Sequence, residues 1–469
     1  MTQADPTSKP RRWQKPRRKG RLLTIALSAT AVVAGGAFLM QGRPSFAETR
    51  PVSVTLDPSA IAVRPTPLTV GVAVHFGIGG DFGYVPDTTA RLIDQIGFDS
   101  VRDDLSWFDF DRSGGMIPSR LAGFLALTRA RPLLILTAKN QASPDTNPPL
   151  DARGRAAYAG FVARVAKSAG AKGAILELGN EWNMNAAPVK RPWLTDAGQP
   201  DDPRAASNYA PLARAGALAI RSTGSNATIL SGAIGIDPTW RWTSALVRDG
   251  APALASGLSL HIYNHCEANT DDRTAQQAIG QLNTMRKTLS SSGLTVPPIY
   301  VTEVGWPTST SCKIERDVQA NNMAQFLLWA SSTSWVRGVW IYQFKDQGRN
   351  AAEIEDNFGL YDFDYKPKPA ACFVKESIAL IHSAQGSAIR QPTPNVYLLQ
   401  QSTVKGPRLI AWTGKPGSEA SLRIDNNSTV TARPLCGTSS TGSDVTITAT
   451  PTVIDLPAGA KVNVLVTPR

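Results

Sequence analysis

Short runs of β-branched and apolar residues alternate with longer helical patterns from Leu68 to about residue 383. The eight apolar runs lie at 68–76, 98–102, 132–137, 174–178, 227–231, 257–263, 298–303 and 337–344. The helical patterns lie near 87–96, 118–130, 152–169, 205–223, 239–249, 272–292, 316–334 and 370–383. Strands that alternate with helices of this length form parallel βαβ units, and eight such units close into a barrel. We therefore predict the α/β class, with a (β/α)8 TIM barrel over 67–384. An open doubly wound sheet is the alternative, but no GxGxxG opens a helix after the first run.

The pattern changes after about residue 385. Runs of about five to seven residues, such as VYLLQQS, DVTITAT and KVNVLVT, are separated by Gly, Pro, Asn or Ser, without a helical stretch among them. About seven short strands in this space are typical of a small β-sandwich, which we place at 385–469. The segment 48–66 is interpreted as a linker, and its run PVSVTLDP (51–58) is a candidate for an additional strand of the sandwich.

The first 47 residues have the pattern of an export signal. They contain nine Lys or Arg and one acidic residue, Asp5, and an uncharged stretch of 19 residues covers 22–40. Small residues, Ser45 and Ala47, then stand where a signal peptidase would cleave. The stretch is long for a cleaved signal and almost long enough to span a bilayer. Segment 1–47 is thus either a signal peptide or a membrane anchor acting through 22–40, and both place the protein outside the cytoplasm, secreted, periplasmic or at the cell surface.

The net charge of +12 is concentrated in this leader. The remaining 422 residues carry 40 basic and 36 acidic groups, a net charge of +4. A basic stripe interleaved with aromatic residues is therefore lacking, which argues against a nucleic-acid partner.

All four cysteines lie in the part predicted to be exported, where disulfides persist. Four cysteines allow three pairings, and free buried thiols are the alternative. We predict Cys266–Cys312, since both follow neighbouring strands of the barrel, and Cys372–Cys436, which would join the last barrel helix to the sandwich. Neither the pattern nor the composition predicts an oligomeric state.

Reactive groups of a barrel lie at the carboxyl ends of its strands. The fourth apolar run leads into ELGNEWN, with Glu181, and the seventh ends in VTEVGWP, with Glu303. The fourth and seventh strands face each other across a barrel mouth. Two facing carboxyl groups are what glycoside hydrolysis requires, one to protonate the leaving oxygen and one to attack or stabilise the sugar carbon.

These residues resemble the retaining glycoside hydrolases of clan A, over roughly 67–383. The motif types are similar to families 39 and 5, whereas TEVGWP is more similar to family 17. The resemblance implies that Glu303 is the nucleophile and Glu181 the acid/base. It rests further on Asn180, on Arg102 after the second strand, on His261 and Tyr263 in HIY, on Trp340 and Tyr342 of the eighth strand, and on FGLY (358–361) and KPA (368–370).

The resemblance implies a polysaccharide or oligosaccharide substrate and no cofactor or metal. We expect Asn180 to donate to the sugar 2-hydroxyl, Arg102 and Tyr263 to hold Glu303, and His261, Trp306, Trp340 and Tyr342 to contact sugar. Long segments after the third, fourth and eighth strands (138–151, 184–204 and 345–369) favour an open cleft and endo action.

Several alternatives remain open at this point. An exo-glycosidase or a transglycosylase would use the same two glutamates, and a non-catalytic barrel could bind sugar without cleaving it. A metal-dependent hydrolase is a further alternative, in which His261, His265 and Cys266 would supply ligands.

Overall fold

The computed structural model describes residues 50–57, 60–78, 82–138, 149–168, 173–184, 204–424, 429–456 and 461–469. The predicted leader, 1–47, lies outside them. Strand β1 (Val52–Leu56) comes first, and eight parallel strands then form a closed barrel. They are β2 (Thr69–Ala73), β3 (Ser100–Ser106), β4 (Arg131–Thr137), β5 (Ile175–Leu178), β6 (Thr228–Ile234), β7 (Gly257–Ile262), β8 (Ile299–Val304) and β9 (Val336–Ile341). The prediction of a TIM barrel is confirmed.

Helices connect the strands and cover the outside of the barrel. They are α1 (Pro86–Ile96), α2 (Trp107–Arg112), α3 (Ser119–Leu125), α4 (Ala152–Lys167), α5 (Arg204–Ser222), α6 (Arg241–Arg248), α7 (Ala275–Ser291), α8 (Arg316–Ser331) and α9 (Pro369–Ser383). The sequence pattern missed α2, a helix of six residues that begins directly after β3. Its N-terminus is capped by Ser106, whose side chain accepts a hydrogen bond from the backbone N–H of Asp109.

The inside of the barrel below the mouth is filled by apolar side chains. Leu133, Ile135, Ile175, Leu230 and Trp340 pack there as one buried cluster. Alternate residues of a barrel strand point inward, so the next inward residues toward the carboxyl ends of the strands reach the mouth. The apolar layer therefore supports the polar groups above it.

The C-terminal part consists of two antiparallel sheets. Its strands are β10 (Ala384–Thr393), β11 (Val396–Thr403), β12 (Gly406–Thr413), β13 (Ala420–Ile424), β14 (Val430–Pro434), β15 (Ser440–Gly442), β16 (Asp444–Ile447), β17 (Thr452–Asp455) and β18 (Val462–Pro468). One sheet has the order β1-β18-β13-β16 and the other β10-β11-β12-β17-β14-β15. Strand β1 pairs antiparallel with β18, with Val54 opposite Val464, so the segment before the barrel does add a strand to these sheets.

Apolar packing and a cysteine pair join the sheets to the barrel. Trp412 stacks on Tyr397, and both pack in one cluster with Leu328 of α8 and Leu380 of α9. The predicted pairing Cys372–Cys436 is present, with Cα atoms 6.2 Å apart.

The second predicted pairing lies at the barrel mouth. Cys266, after β7, is bonded to Cys312, after β8, and their Cα atoms are 4.9 Å apart. Two such bonds are typical of proteins in oxidising compartments. Among the described helices, none combines the length and apolarity that a bilayer span needs.

Candidate active site

A left-handed turn after β5 presents Glu181. The backbone of Gly179 has φ 85°, and that of Glu181 has φ 49°, a region that costs a residue with a side chain roughly 1–2 kcal/mol. The turn is held to the neighbouring strand, because the Glu181 N–H donates to the carbonyl of Ala233 at 2.7 Å. The Asn183 side chain adds two bonds, accepting from the Gly235 N–H and donating to the Ile236 carbonyl.

Glu303 lies near the end of β8 and is 8% exposed. One carboxylate oxygen accepts a hydrogen bond from Arg102 Nη1 at 2.6 Å, and the other accepts one from the Tyr263 hydroxyl at 2.6 Å. Bonds between a carboxylate and such donors are short and strong, so both oxygens have defined positions.

Arg102 of β3 connects most of the site. Its Nε donates to Glu177 at 2.8 Å, and its Nη2 donates to Asn180 Oδ1 at 3.0 Å, in addition to the bond with Glu303. Burial by itself would lower the pKa of Arg102, but Glu177 and Glu303 raise it above its usual value. The guanidinium therefore carries a permanent positive charge between two carboxylates.

His261 connects the two glutamates. Its Nδ1 lies 2.9 Å from Glu181 Oε1 and 3.5 Å from Glu303 Oε2, and its Nε2 lies 3.3 Å from Arg102 Nη2. Because a guanidinium only donates, Nε2 accepts, and the ring proton on Nδ1 is donated to Glu181. Burial would lower the pKa of His261, but Glu303 and Glu181 outweigh it and raise the pKa.

The two glutamates face each other at short range. Ligand atoms of Glu181, His261 and Glu303 all lie within 4.8 Å of one another. One oxygen of each carboxylate thus lies within 4.8 Å of the other, which suits sites that use one carboxylate as a nucleophile at roughly 5–5.5 Å and not those that admit a water at roughly 6.5–9.5 Å.

Of the three predicted aromatic contacts, only Tyr342 lies beside the glutamates. Its ring packs edge-on against Tyr263 at 6.3 Å, and its hydroxyl donates to Glu355 at 3.0 Å. Trp340 is placed elsewhere, since it is fully buried one inward position below Tyr342 and donates to the Ser100 hydroxyl.

Trp306 is also buried, in contrast to the predicted contact with sugar. It is 1% exposed and its indole N–H donates to Asn264 Oδ1 at 2.9 Å. Both indoles lack the open face that a sugar ring would need, because the barrel core and the loop after β7 cover them.

The sequence reasoning did not select several residues that the structure places in the site. Glu177 is fully buried beside Arg102, and His75 is buried with its Nε2 2.5 Å from Gln343 Oε1. Asp104 follows Arg102 on the inward face of β3. The alternation of inward positions could have identified Glu177 and Asp104, since they lie two residues from Gly179 and Arg102, respectively.

The alternative metal site is not assembled as the sequence suggested. Cys266 is bonded to Cys312, and His261 is grouped with Glu181 and Glu303 instead of with His265 and Cys266. Glu181, His261 and Glu303 do form a set of potential ligand atoms. However, Arg102 Nη1 lies 2.6 Å from Glu303 Oε1, and its fixed positive charge would repel a cation bound to the same carboxylate.

Comparison with known proteins relates the chain to glycoside hydrolases by fold. It matches neither a protein-family model nor a curated protein. A solved family 39 glycoside hydrolase from Bacteroides cellulosilyticus WH2 is similar with a TM-score of 0.63 and 20% identity, over 84% of this chain and 81% of that one.

Two further solved structures are similar. A GH5_18 protein from Bifidobacterium longum subsp. longum ATCC 55813 has a TM-score of 0.51 and 15% identity, over 68% of this chain and 80% of that one. A 4-O-alpha-L-rhamnosyl-beta-D-glucuronidase from Fusarium oxysporum 12S has a TM-score of 0.53 and 13% identity, over 89% of this chain and 99% of that one. The expected resemblance to clan A is thus confirmed for the fold, and the family 17-like motif around Glu303 stays a prediction.

Proposed function

We propose that this protein is a retaining glycoside hydrolase that cleaves a polysaccharide or oligosaccharide by double displacement. The observation that carries the proposal is the pair of facing carboxylates, Glu181 and Glu303, with ligand atoms within 4.8 Å of one another. At this spacing one carboxylate reaches the sugar carbon directly, instead of activating a water between the two groups.

Glu303 is the nucleophile in the first step. Arg102 and Tyr263 hold both of its oxygens, and the charge of Arg102 favours the ionised form. A carboxylate oxygen forms a bond to the anomeric carbon while the bond from that carbon to the leaving oxygen breaks. Glu181 gives its proton to the leaving oxygen, so the departing group leaves as an alcohol.

Glu181 acts as the base in the second step. It takes a proton from water, the water oxygen bonds to the anomeric carbon, and the ester bond to Glu303 breaks. The Nδ1–H group of His261 donates a hydrogen bond to Glu181. This bond stabilises the carboxylate that Glu181 becomes when it gives up its proton in the first step.

We infer that Asn180 binds the sugar beside the reacting carbon. Its Oδ1 accepts from Arg102, which fixes the orientation of the amide and directs the Nδ2 group away from the guanidinium. We assign this group to the 2-hydroxyl of the substrate, a contact that strengthens in the transition state of such reactions.

Stereochemistry tests the mechanism directly. Proton NMR of the first product formed from an active glycoside should show the anomeric configuration of the substrate. An inverted product would contradict the assignment of Glu303 as nucleophile.

Two similar structures contain saccharides, which supports a saccharide substrate here. One GH5_18 structure from Bifidobacterium longum is a complex with Manb1-4GlcNAc, and the Fusarium oxysporum structure is a Rha-GlcA complex. Endo action remains our proposal from the long segments 138–151, 184–204 and 345–369, of which 139–148 and 185–203 lie outside the described residues. A ladder of oligosaccharides with a rapid fall in viscosity would support it, whereas monosaccharide alone at early times would contradict it.

The leader supports export, and the two cysteine pairs agree with an oxidising destination. N-terminal sequencing of the protein from culture medium and from membranes distinguishes cleavage after Ala47 from a retained anchor through 22–40.

A further inference from the structure

Asp104 is a carboxylate in the barrel mouth that the proposed mechanism does not use. It lies two residues after Arg102 on β3, so both side chains share the inward face and Asp104 is nearer the opening. It is partly exposed. Within the described parts of the chain, no N–H or O–H group donates to its carboxylate.

The preceding residue provides the contrast. The Asp103 carboxylate accepts three backbone hydrogen bonds, from the N–H groups of Phe76, Gly77 and Asp104, at 2.7, 3.0 and 2.8 Å. Asp103 thereby connects β3 to the end of β2 and has a structural role. Among the described residues Asp104 has no such partner, so its hydrogen-bonding capacity remains available in the barrel mouth.

The charge of Asp104 is poorly compensated. Burial raises the pKa of this carboxyl to about 6, and although Arg102 lowers it, Glu303 and Glu177 raise it further. Arg102 already donates to both of those glutamates. A ligand that donates hydrogen bonds or carries positive charge would relieve the repulsion, whereas a second anion would increase it.

His75, whose pKa is also influenced by Glu303 and Arg102, has a second acceptor without a partner among the described residues. The Gln343 Nε2 group donates a hydrogen bond to the carbonyl of Glu355. Gln343 Oε1 therefore faces His75 and accepts a hydrogen bond from the N–H at His75 Nε2. The ring is neutral at neutral pH, since burial lowers the pKa of His75 to about 4. Its Nδ1 is therefore a bare acceptor, buried and without a partner among the described residues.

We propose that Asp104 is a specificity-determining residue, which accepts hydrogen bonds from hydroxyl or ammonium groups of the bound sugar and rejects uronic acids. This inference rests on the proposed function and deepens it. A uronate would bring a further carboxylate into a mouth that already contains Asp104 and Glu303, and Arg102 is the one cation among the described residues that lowers the pKa of Asp104. Neutral sugars and amino sugars instead supply hydrogen-bond donors to the Asp104 carboxylate.

Matched aryl glycosides test the proposal. The panel contains neutral hexosides, the uronide of the same configuration and the corresponding amino sugar, assayed with the wild type and with Asp104→Asn. We expect the wild type to favour the neutral sugar over the uronide by at least about 100-fold in kcat/KM. Asp104→Asn should reduce this ratio by about 10-fold or more, mainly through a lower KM for the uronide. If the wild type prefers the amino sugar and Asp104→Asn loses this preference, the ammonium group is the donor to Asp104. If the wild type uses the neutral sugar and the amino sugar equally, hydroxyl groups are the donors.

The control is Asp111→Asn, which removes one acidic charge from an exposed position of α2. It should leave the ratio unchanged. Saturation-transfer NMR with the free sugars measures the same preference without turnover. If every glycoside is inert, the proposed function fails, and the NMR preference still decides the role of Asp104. Equal binding of neutral sugar and uronate by the wild type, or a ratio unchanged in Asp104→Asn, would overturn the inference.

Discussion

The two glutamates of the site are held in different ways. Glu303 is fixed by side chains from other strands, with Arg102 on one oxygen and Tyr263 on the other. The backbone of Glu181 is fixed by a left-handed turn and by a hydrogen bond to Ala233, and its carboxylate receives a hydrogen bond from His261.

The difference corresponds to the work assigned to each group. A nucleophile reacts as an anion from one position, and two charge-assisted bonds provide both the charge and the position. An acid/base gains and loses a proton in each cycle, so strong donors on both oxygens would favour only the ionised form. The side chain of Glu181 is also the more exposed, at 16% against 11% for Glu303.

Replacing the carboxylates themselves should have the largest effects. Glu303→Gln should lower kcat by at least about 10⁴-fold, because no group remains to form the covalent bond. Glu181→Ala should lose about 10²–10⁴-fold on poor leaving groups and regain activity with azide on activated substrates. The product of that rescue should be a glycosyl azide of retained configuration, identified by NMR. If Glu303→Ala instead gave the glycosyl azide of retained configuration, Glu303 would be the acid/base and Glu181 the nucleophile.

Arg102→Ala should have the next largest effect, on both activity and stability. The sequence linked Arg102 only to Glu303. The structure adds a role in stability, because Glu177 is fully buried and would lose its charged partner. We expect a loss of about 3–5 kcal/mol in the free energy of unfolding and about 10²–10³-fold in kcat.

Urea denaturation and steady-state kinetics measure the two effects separately. Arg102→Lys is the matched control, since it keeps the charge but cannot donate to Glu177, Glu303 and Asn180 in one fork. A lysine variant with wild-type turnover would show that charge alone is sufficient and that the fork geometry is dispensable.

Tyr263→Phe should reduce kcat by about 10–100-fold. The hydroxyl donates to Glu303 at 2.6 Å, and a hydrogen bond to a charged group contributes about 1.5–3 kcal/mol. The ring and its packing against Tyr342 remain, so the melting temperature should change little. Tyr342→Phe is the control, because its hydroxyl bonds to Glu355 and not to Glu303. Equal losses in the two variants would contradict a specific role of the bond to Glu303.

Gly235→Ala should have the smallest effect, about 3–10-fold on kcat. An added Cβ would lie 2.4 Å from Met184 Cγ and 3.2 Å from Glu181 Oε1, so both side chains must move. Glu181 Oε1 is the farther of the two contacts and has to move only slightly, so activity falls only moderately. Combining the substitution with Met184→Ala provides space and should restore part of kcat. A loss as large as that of Arg102→Ala would show that the acid/base is as tightly positioned as the nucleophile.

The sequence was sufficient to predict the barrel and the facing pair of glutamates. Strand and helix periods are local properties, and the ends of strands are found from the same pattern. Glu181 and Glu303 were therefore predicted to face each other, together with Arg102 and Tyr263, and the structure brings all four together. The cysteine pairings followed similarly, since Cys266 and Cys312 come after neighbouring strands.

The depth of each side chain within the barrel and the charged or hydrogen-bonding partner of each polar group were decided only by the tertiary structure. Trp340 lies one inward position below Tyr342 and is buried in the barrel core. The depth of each side chain depends on the stagger between neighbouring strands, and the local sequence pattern does not encode this stagger. The sharing of Arg102 between Glu177 and Glu303, and the lack of a donor for Asp104 among the described residues, depend on distances between strands far apart in sequence. A residue's type and period are properties of the chain, whereas its electrostatic partners exist only once the barrel is closed.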